Sequence, residues 1–239
     1  MKQPFLGFVV HLTLFLVPML YKGSAVGQEV ESSNSIDLSM NVDLTSQYLW
    51  RGLVLSNGPA IQPGVEMSLN KFSVGAWGSA AFQAHDSKEV DLYLAYTLSA
   101  FKLTVLDYYY YADTVIADYF NYKKDQSSHV IEGVIEFTGT EKIPFRLLAG
   151  LNLFNDRNNS AYFELAWLTA VGATNVEVLA GYTPQVGYYH PDRKGFTNVG
   201  INMNREYAIN QELTMPLRLS LTYSPLIRQT HLVLIIGLY

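Results

Sequence analysis

Residues 35–52 alternate strictly between apolar and polar side chains. From Ile36 to Trp50, seven of the eight even positions are apolar, and from Asp37 to Arg51 seven of the eight odd positions are polar. A repeat of two residues is that of a β-strand with two chemically opposite faces. The segment therefore predicts a β-protein, whose class depends on which solvent meets the apolar face.

The same alternation recurs along the rest of the chain, between segments rich in turn-forming residues. We predict twelve strands. The connections that follow odd-numbered strands are long and polar, whereas those that follow even-numbered strands are short, with 205–213 as the exception. The predicted strands cover residues 35–52, 60–69, 72–82, 90–98, 101–111, 129–137, 144–154, 161–168, 175–183, 196–204, 215–223 and 231–239.

This sorting of loop lengths is typical of an outer-membrane barrel, which has short periplasmic turns and longer outside loops. Alternation alone is equally compatible with two soluble sheets packed face to face. Three features favour the barrel: the even number of strands, the final aromatic residue Tyr239, and aromatic residues where strands meet long loops. Such aromatic girdles mark membrane boundaries. The expected girdle residues are Tyr48, Trp50, Tyr108 to Tyr111, Tyr119, Tyr122, Tyr188, Tyr189 and Phe196.

The amino terminus has the pattern of a secretory signal peptide. Lys2 precedes an almost wholly apolar run over 5–21, and small residues at Ala25 and Gly27 form a cleavage motif. The alternative is an amino-terminal membrane anchor, for which the run is short compared with the ~20 residues of a spanning helix. The expected organisation is a signal peptide at 1–27, a short linker at 28–34 and one all-β domain at 35–239, a twelve-stranded antiparallel up-and-down transmembrane β-barrel.

Composition narrows the possible functions. The chain has no cysteine, which excludes disulfides and thiol catalysis. Without residues 1–27 it has 14 basic and 21 acidic residues, a balance that argues against binding nucleic acid. No later apolar stretch reaches the length of a spanning helix, so membrane insertion requires a closed barrel. We expect the cell outer membrane as location, no cofactor, and outer-membrane lipids, the barrel assembly machinery and small polar solutes as partners.

Residues 44–64, LTSQYLWRGLVLSNGPAIQPG, resemble the opening hairpin of the TorF-type porin family, Gram-negative outer-membrane proteins of unknown function. Weaker likeness covers VDLYLAY at 90–96, VGIN at 199–202 and LSLTYSP at 219–225. The resemblance implies an outer-membrane barrel and adds little about its solute. The matching pieces are Thr45-Ser46, Tyr48, Trp50-Arg51-Gly52, Ser56 and Pro59 to Gln62.

Fourteen polar residues are expected on the inward face of the strands. They either form a salt-bridge network that fills a narrow barrel or line a polar channel whose charges set selectivity. Carboxylates outnumber bases among them, which predicts a weak preference for cations. The candidate pore-lining residues are Asp43, Gln47, Arg51, Gln62, Glu66, Asp91, Lys102, Glu132, Glu136, Arg146, Glu164, Glu177, Asn202 and Arg218.

Arg51 lies beside Trp50 at the loop end of the long first strand. We expect it to pair with Glu66 across the hairpin, and we expect part of this strand to project beyond the membrane. If it has a structural role, its removal weakens the barrel, and if it lines a pore, its removal changes conductance.

No catalytic or metal site is expected. His85, His129, His190 and His231 lack the spacing of metal ligands. His85-Asp86 and His190-x-Asp192 are catalytic candidates by proximity only. The sequence therefore favours a porin-like channel for passive diffusion of small polar solutes or ions, and not an enzyme. Two alternatives remain, a closed structural or surface-binding barrel and a rim-located lipid or peptide hydrolase.

Overall fold

A computed structural model describes residues 35–83, 88–111, 118–210 and 213–238. Their regular structure consists of β-strands. No described segment is a helix long and apolar enough to cross a membrane. The expected signal peptide and linker, together with His85, Asp86 and Tyr239, lie outside the described residues.

The described residues form fourteen strands, of which twelve close into one antiparallel barrel in the order β1-β14-β13-β12-β11-β10-β9-β8-β7-β6-β5-β4. The other two, β2 and β3, pair only with each other. The strands are β1 (Asp37–Thr45), β2 (Tyr48–Trp50), β3 (Leu53–Ser56), β4 (Ala60–Leu69), β5 (Phe72–Ala81), β6 (Lys88–Leu98), β7 (Phe101–Tyr111), β8 (His129–Phe137), β9 (Phe145–Phe154), β10 (Ala161–Val171), β11 (Thr174–Thr183), β12 (Gly195–Ala208), β13 (Thr214–Ser224) and β14 (Gln229–Gly237).

The first strand closes the barrel by pairing on both sides. Asp43 lies opposite Gly237 on β14, and Thr45 lies opposite Ala60 on β4. A closed ring leaves no strand edge with unpaired backbone groups. The predicted fold, a twelve-stranded antiparallel barrel, is therefore confirmed, and two packed soluble sheets are excluded.

The barrel wall is polar inside and apolar outside. Leu38 and Leu103 point outward and are 62% and 49% exposed. Asp43, Glu132 and Arg146 point inward and are at most 1% exposed. In a soluble β-protein the apolar face would instead be the buried one. The alternation in the sequence thus corresponds to an apolar outer surface around a charged interior.

Tight turns join strands at one end of the barrel. Asn70 and Ser99 have φ angles of 55° and 53°, in the left-handed region that two-residue hairpin loops use. The turn after β10 is shorter than predicted, since β10 reaches Val171 and β11 begins at Thr174. Most of the longer connections lie at the other end, called here the loop end, and 138–144 is the main exception.

The first strand differs from the prediction. It ends at Thr45, and the alternating residues that follow do not extend it beyond the barrel. They form the separate pair β2 and β3 within residues 46–59, called here the inward hairpin. Ser46 directly follows β1 and is still held on the wall. Its backbone N–H donates to the Leu234 carbonyl, and its hydroxyl accepts from the Leu234 N–H at 3.0 Å.

Candidate functional site

The inward hairpin has a two-residue turn formed by Arg51 and Gly52. Trp50 pairs with Leu53 across this turn. Both turn residues have positive φ, 49° for Arg51 and 83° for Gly52, which matches a type I′ turn. The left-handed conformation costs about 1–2 kcal/mol for a residue such as arginine. Contacts of the Arg51 side chain must offset that cost.

The tip of the inward hairpin lies against the opposite wall of the barrel. The hairpin leaves β1 and returns to β4, whereas Arg51 bonds to Glu132 on β8 and lies over Tyr162 on β10. Strand β9, between those two, is six strands from β1 around the ring. The hairpin therefore crosses the lumen.

Arg51 occupies a site that we call the arginine cage, formed by Trp50, Tyr108, Glu132, Tyr162 and Tyr189. Arg51 Nη1 donates to Glu132 Oε1 at 2.6 Å, and Nη2 donates to Oε2 at 3.2 Å. Such two-pronged pairing is the strongest geometry between a guanidinium and a carboxylate. Tyr108 donates a further hydrogen bond to Glu132 Oε2 at 2.7 Å.

Aromatic rings complete the arginine cage. The guanidinium carbon of Arg51 lies 4.6 Å from the centre of the Trp50 ring and 4.2 Å from that of Tyr162, within the range of cation–π attraction. Tyr189 stacks on Trp50 with centroids 5.9 Å apart, and its hydroxyl accepts a hydrogen bond from Arg51 Nη1 at 2.6 Å. Burial raises the pKa of the Tyr189 phenol well above its usual value, so this group stays neutral.

Two glycines make room for the tip. A Cβ at Gly150 would lie 2.2 Å from Glu132 Oε1 and 3.3 Å from Arg51 Nη2. A Cβ at Gly52 would lie 2.1 Å from the carbonyl oxygen of Thr197. The separations of 2.2 Å and 2.1 Å are shorter than atoms tolerate, so the wall and the turn approach closely only because side chains are absent there.

A cavity with charged and amide side chains in its lining, called here the lumenal chamber, lies between the inward hairpin and the wall. Its volume, counted as the space open to the centres of water molecules, is about 80 Å³. That is room for several water molecules, each of which needs about 10–15 Å³ by this measure. Its lining includes Gln47 and Tyr48 from the hairpin and Asp43, Trp77, Glu164 and Arg218 from the wall.

A charged network borders the lumenal chamber. Arg146 Nη2 donates to Glu164 Oε1 at 2.6 Å and to Glu177 Oε1 at 2.7 Å, so one guanidinium joins two carboxylates. Asn202 donates to the remaining Glu177 oxygen at 2.9 Å. Tyr162 donates to Glu164 Oε2 and thereby connects this network to the arginine cage.

Asp43 and Arg218 form a second ion pair in the chamber. Arg218 Nη2 lies 2.7 Å and 2.8 Å from the two Asp43 oxygens. Nearby, Gln47 lies 3.2 Å from His231 Nδ1, and Gln62 donates to Ser79 at 3.3 Å. The chamber thus brings together the predicted residues Asp43, Gln47, Arg51, Gln62, Arg146, Glu164, Asn202 and Arg218.

The other predicted residues lie elsewhere on the inner wall. Glu66 accepts from Tyr93 at 3.0 Å, so the expected pairing of Arg51 with Glu66 is wrong. The tip crosses the lumen to Glu132 instead of turning back toward β4. Lys102 lies opposite Glu136 in the register of β7 and β8, and Asp91 is 1% exposed. That these residues line a pore stays a prediction.

The aromatic residues at the loop end are mostly not a girdle. Trp50, Tyr108 and Tyr189 are at most 3% exposed and pack in the interior, whereas Phe196 is 52% exposed. The prediction assigned all of them to the membrane boundary. The alternation along the strand, however, already places Tyr108 on the same inward face as Lys102. The same parity signal would have found Tyr162 beside Glu164 and Glu89 beside Asp91 on the inner face. Glu89 is 3% exposed.

A separate polar cluster lies at the loop end, on residues of β7 and β8 whose positions in the alternation face outward. His129 Nδ1 lies 2.8 Å from Asp107 Oδ1, and its Nε2 lies 2.5 Å from the Tyr119 carbonyl oxygen. Tyr122 donates to Asp107 Oδ2 at 2.6 Å and stacks on the His129 ring. Residues after 117 thus cover Asp107 and His129 on the outside of the wall.

Of the two histidine candidates, His190-x-Asp192 lies within the described residues. His190 Nδ1 accepts a hydrogen bond from the Asp192 backbone N–H at 3.2 Å, a local turn contact. Across the described parts of the chain, no group of three or more His, Cys, Asp or Glu side chains could hold a metal ion.

Comparison with known proteins identifies one family. Its sequence model, described as "Bacterial protein of unknown function (Gcw_chp)", matches residues 29–223. No curated protein and no solved structure matches the chain. The family description assigns no activity, and the finer resemblance to TorF-type porins stays a prediction.

Proposed function

The chain belongs to the Gcw_chp family of bacterial proteins, and we propose that it is an outer-membrane channel for small polar solutes or ions, restricted by the inward hairpin. The observation that carries this proposal is the lumenal chamber, a cavity with charged and amide side chains in its lining, inside a barrel whose outer surface is apolar. Passage of a hydrated solute requires polar groups along its path, and the chamber supplies charged and amide side chains.

The apolar outer surface supports a location in the membrane. Outward residues such as Leu94, Leu103, Ile135 and Leu151 are 41–54% exposed on adjacent strands. Soluble monomers rarely expose a continuous apolar surface of this kind. Because a bacterial transmembrane barrel resides in the outer membrane, we place the protein there, with its lipids and assembly machinery as partners. A cleaved signal peptide at 1–27 belongs to the same proposal.

Conductance of the refolded protein in planar bilayers tests the channel. We expect discrete steps that are small for a twelve-stranded barrel, since the inward hairpin crosses the lumen. We also expect K⁺ to be preferred over Cl⁻, because Arg146 is shared by two carboxylates and acidic side chains remain in excess. Current steps indistinguishable from lipid alone would contradict the channel, and a clear anion preference would contradict the selectivity.

A second candidate function is a closed barrel with a structural or surface-binding role and no transport. The fixation of Arg51 on the opposite wall favours it, since a buried, two-pronged ion pair holds the inward hairpin across the lumen. The same recording separates the two candidates, because a closed barrel conducts neither before nor after a voltage pulse.

A further inference from the structure

We propose that the arginine cage is a binding site for a small planar organic cation of the guanidinium type, and that Arg51 occupies it as a covalently attached competitor. The role of such a cation as a transported solute rests on the proposed channel. Binding in the cage does not, because it can be measured without any conduction.

The chemistry of the cage is that of a cation site. Glu132 supplies two carboxylate oxygens, Tyr162 supplies a ring face 4.2 Å from the guanidinium carbon, and Tyr189 supplies a hydroxyl acceptor at 2.6 Å. A carboxylate in the plane of a guanidinium and an aromatic ring over its face are the two contacts that recognise this group.

The cage is built mainly by groups outside the inward hairpin. Glu132, Tyr108 and Tyr162 belong to the wall strands β8, β7 and β10, and Tyr189 belongs to the connection between β11 and β12. Tyr108 holds Glu132 by a hydrogen bond that does not involve Arg51. Only Trp50 would leave with the hairpin. Most of the site is therefore in place before the arginine enters.

Arg51 has the attributes of an occupant that can be displaced. It lies at the tip of a two-residue turn. Its backbone has the left-handed conformation, which is unfavourable for arginine. It is attached to the wall by side-chain contacts and is not part of a barrel strand. A free guanidinium makes the same contacts without the backbone penalty, so it competes for the cage directly.

The lumenal chamber gives a solute access to the cage. Arg51 and Tyr162 belong to both, so a cation in the chamber meets the groups that would bind it. The acidic surroundings, including the carboxylates of Glu164 and Glu177 around Arg146, increase the local concentration of cations.

The Arg51→Ala variant, folded in detergent, tests the inference by chemical rescue. Guanidinium chloride is added up to 50 mM, with NaCl keeping the ionic strength constant, and tryptophan fluorescence and the heat stability of the folded gel band are followed. We expect a saturable response with a midpoint of about 1–10 mM, as suits a ligand of so few heavy atoms. In this concentration range the wild type should respond at least several-fold more weakly, since the tethered Arg51 competes for the cage at a high effective concentration.

Three controls make the result specific. Urea, a neutral molecule of the same shape, should have no effect at equal concentration. The double variant Arg51→Ala/Glu132→Gln should lose the response, because the carboxylate is gone. Arg218→Ala removes a guanidinium that pairs with Asp43 in the same chamber, and its response to guanidinium should be at least several-fold weaker.

The inference is overturned if Arg51→Ala shows no saturable response, if urea acts equally, or if the double variant still responds. Should Arg51→Ala fail to fold alone, refolding yield against guanidinium concentration becomes the readout. A saturable rise in yield supports the site, and an unchanged yield contradicts it. None of these readouts requires conduction. A failed rescue therefore does not contradict the proposed channel, and a barrel that does not conduct does not contradict binding in the cage.

Discussion

Arg51 and Glu132 are 81 positions apart in the chain, yet their side chains meet at 2.6 Å inside the barrel. Arg51 is carried by a segment that leaves the wall at β1 and returns at β4, and Glu132 lies on β8, on the far side of the ring. One ion pair therefore fixes a hairpin across the lumen. Breaking this pair should both destabilise the barrel and release the hairpin that narrows the lumen.

Arg51→Ala should destabilise the folded barrel by about 3–5 kcal/mol, because it leaves the Glu132 carboxylate buried without its partner. Urea unfolding in lipid vesicles measures this difference. Arg51→Lys keeps the charge but loses the two-pronged geometry, so its effect should be smaller. The double variant Arg51→Ala/Glu132→Ala should lose less than the sum of the two single changes. Additive losses would show that the pair contributes no coupling.

Replacing residues 46–59 by Asn-Gly should open the lumen. Thr45 and Ala60 are register partners on β1 and β4, so a two-residue type I′ turn can join them without changing the wall. We expect single-channel conductance to rise several-fold relative to the wild type. A matched replacement of loop 155–160, which does not enter the arginine cage, should leave conductance unchanged. Equal conductance with and without the inward hairpin would mean that it does not restrict the lumen.

Gly150→Ala should weaken the attachment of the hairpin tip. The new methyl group would lie 2.2 Å from Glu132 Oε1, so the carboxylate must move and its bonds to Arg51 lengthen. We expect a loss of about 1–3 kcal/mol in unfolding free energy, in the range of overpacking. Gly172→Ala is the control, because nothing lies within 4 Å of a Cβ there and only its left-handed backbone is penalised. A Gly150→Ala barrel as stable as the wild type would exclude close packing at the cage.

Acid should loosen the loop at 155–160. Burial would raise the pKa of Asp156, but hydrogen bonds from Ser160, Asn152 and Asn158 outweigh burial and hold the pKa below its usual value of 3.8. Because the pKa of Asp156 is lower in the folded than in the unfolded protein, the ionised carboxylate stabilises the folded loop at pH values above the unfolded pKa. That stability is lost as the pH falls through the folded pKa.

Hydrogen exchange checks this expectation. Protection of the Asn158 and Ser160 amides, corrected for the intrinsic rate, should fall below about pH 4. Asp156→Asn should lower protection already at neutral pH and remove its pH dependence, whereas Asp192→Asn in a different loop should do neither. Protection that is independent of pH in the wild type would contradict the role of Asp156.

The barrel was predictable because its wall obeys a local rule. Outward Leu103 and inward Thr104 differ by one position, and a period of two assigns each to its face. Turn residues such as Asn70 then mark where strands reverse. Each of these signals is contained in a few neighbouring residues, so the strand count and the two faces follow from the sequence.

The inward hairpin was not predictable by that rule. Residues 46–51 continue the alternation of β1 except at Ser46 and Leu49, and a strand in the lumen has the same period as a strand in the wall. The break at Thr45 depends on pairing with β14, and the partner of Arg51 depends on which wall strand lies opposite, which only the closed ring determines. Inward-facing tyrosines such as Tyr108 and Tyr189 were misassigned because amphipathic rings suit a membrane boundary as well as a polar lumen.

Cysteine labelling of two neighbouring residues in membranes tests the central claim most directly. The chain has no cysteine of its own, so Ser220→Cys and Leu221→Cys introduce single thiols. Ser220 lines the lumenal chamber, and Leu221 is 47% exposed on the outer surface. The account predicts that a small charged methanethiosulfonate modifies Ser220→Cys but not Leu221→Cys, while a lipid-soluble maleimide modifies Leu221→Cys. Rapid modification of Leu221→Cys by the charged reagent would show that the apolar face meets water, and would contradict the account.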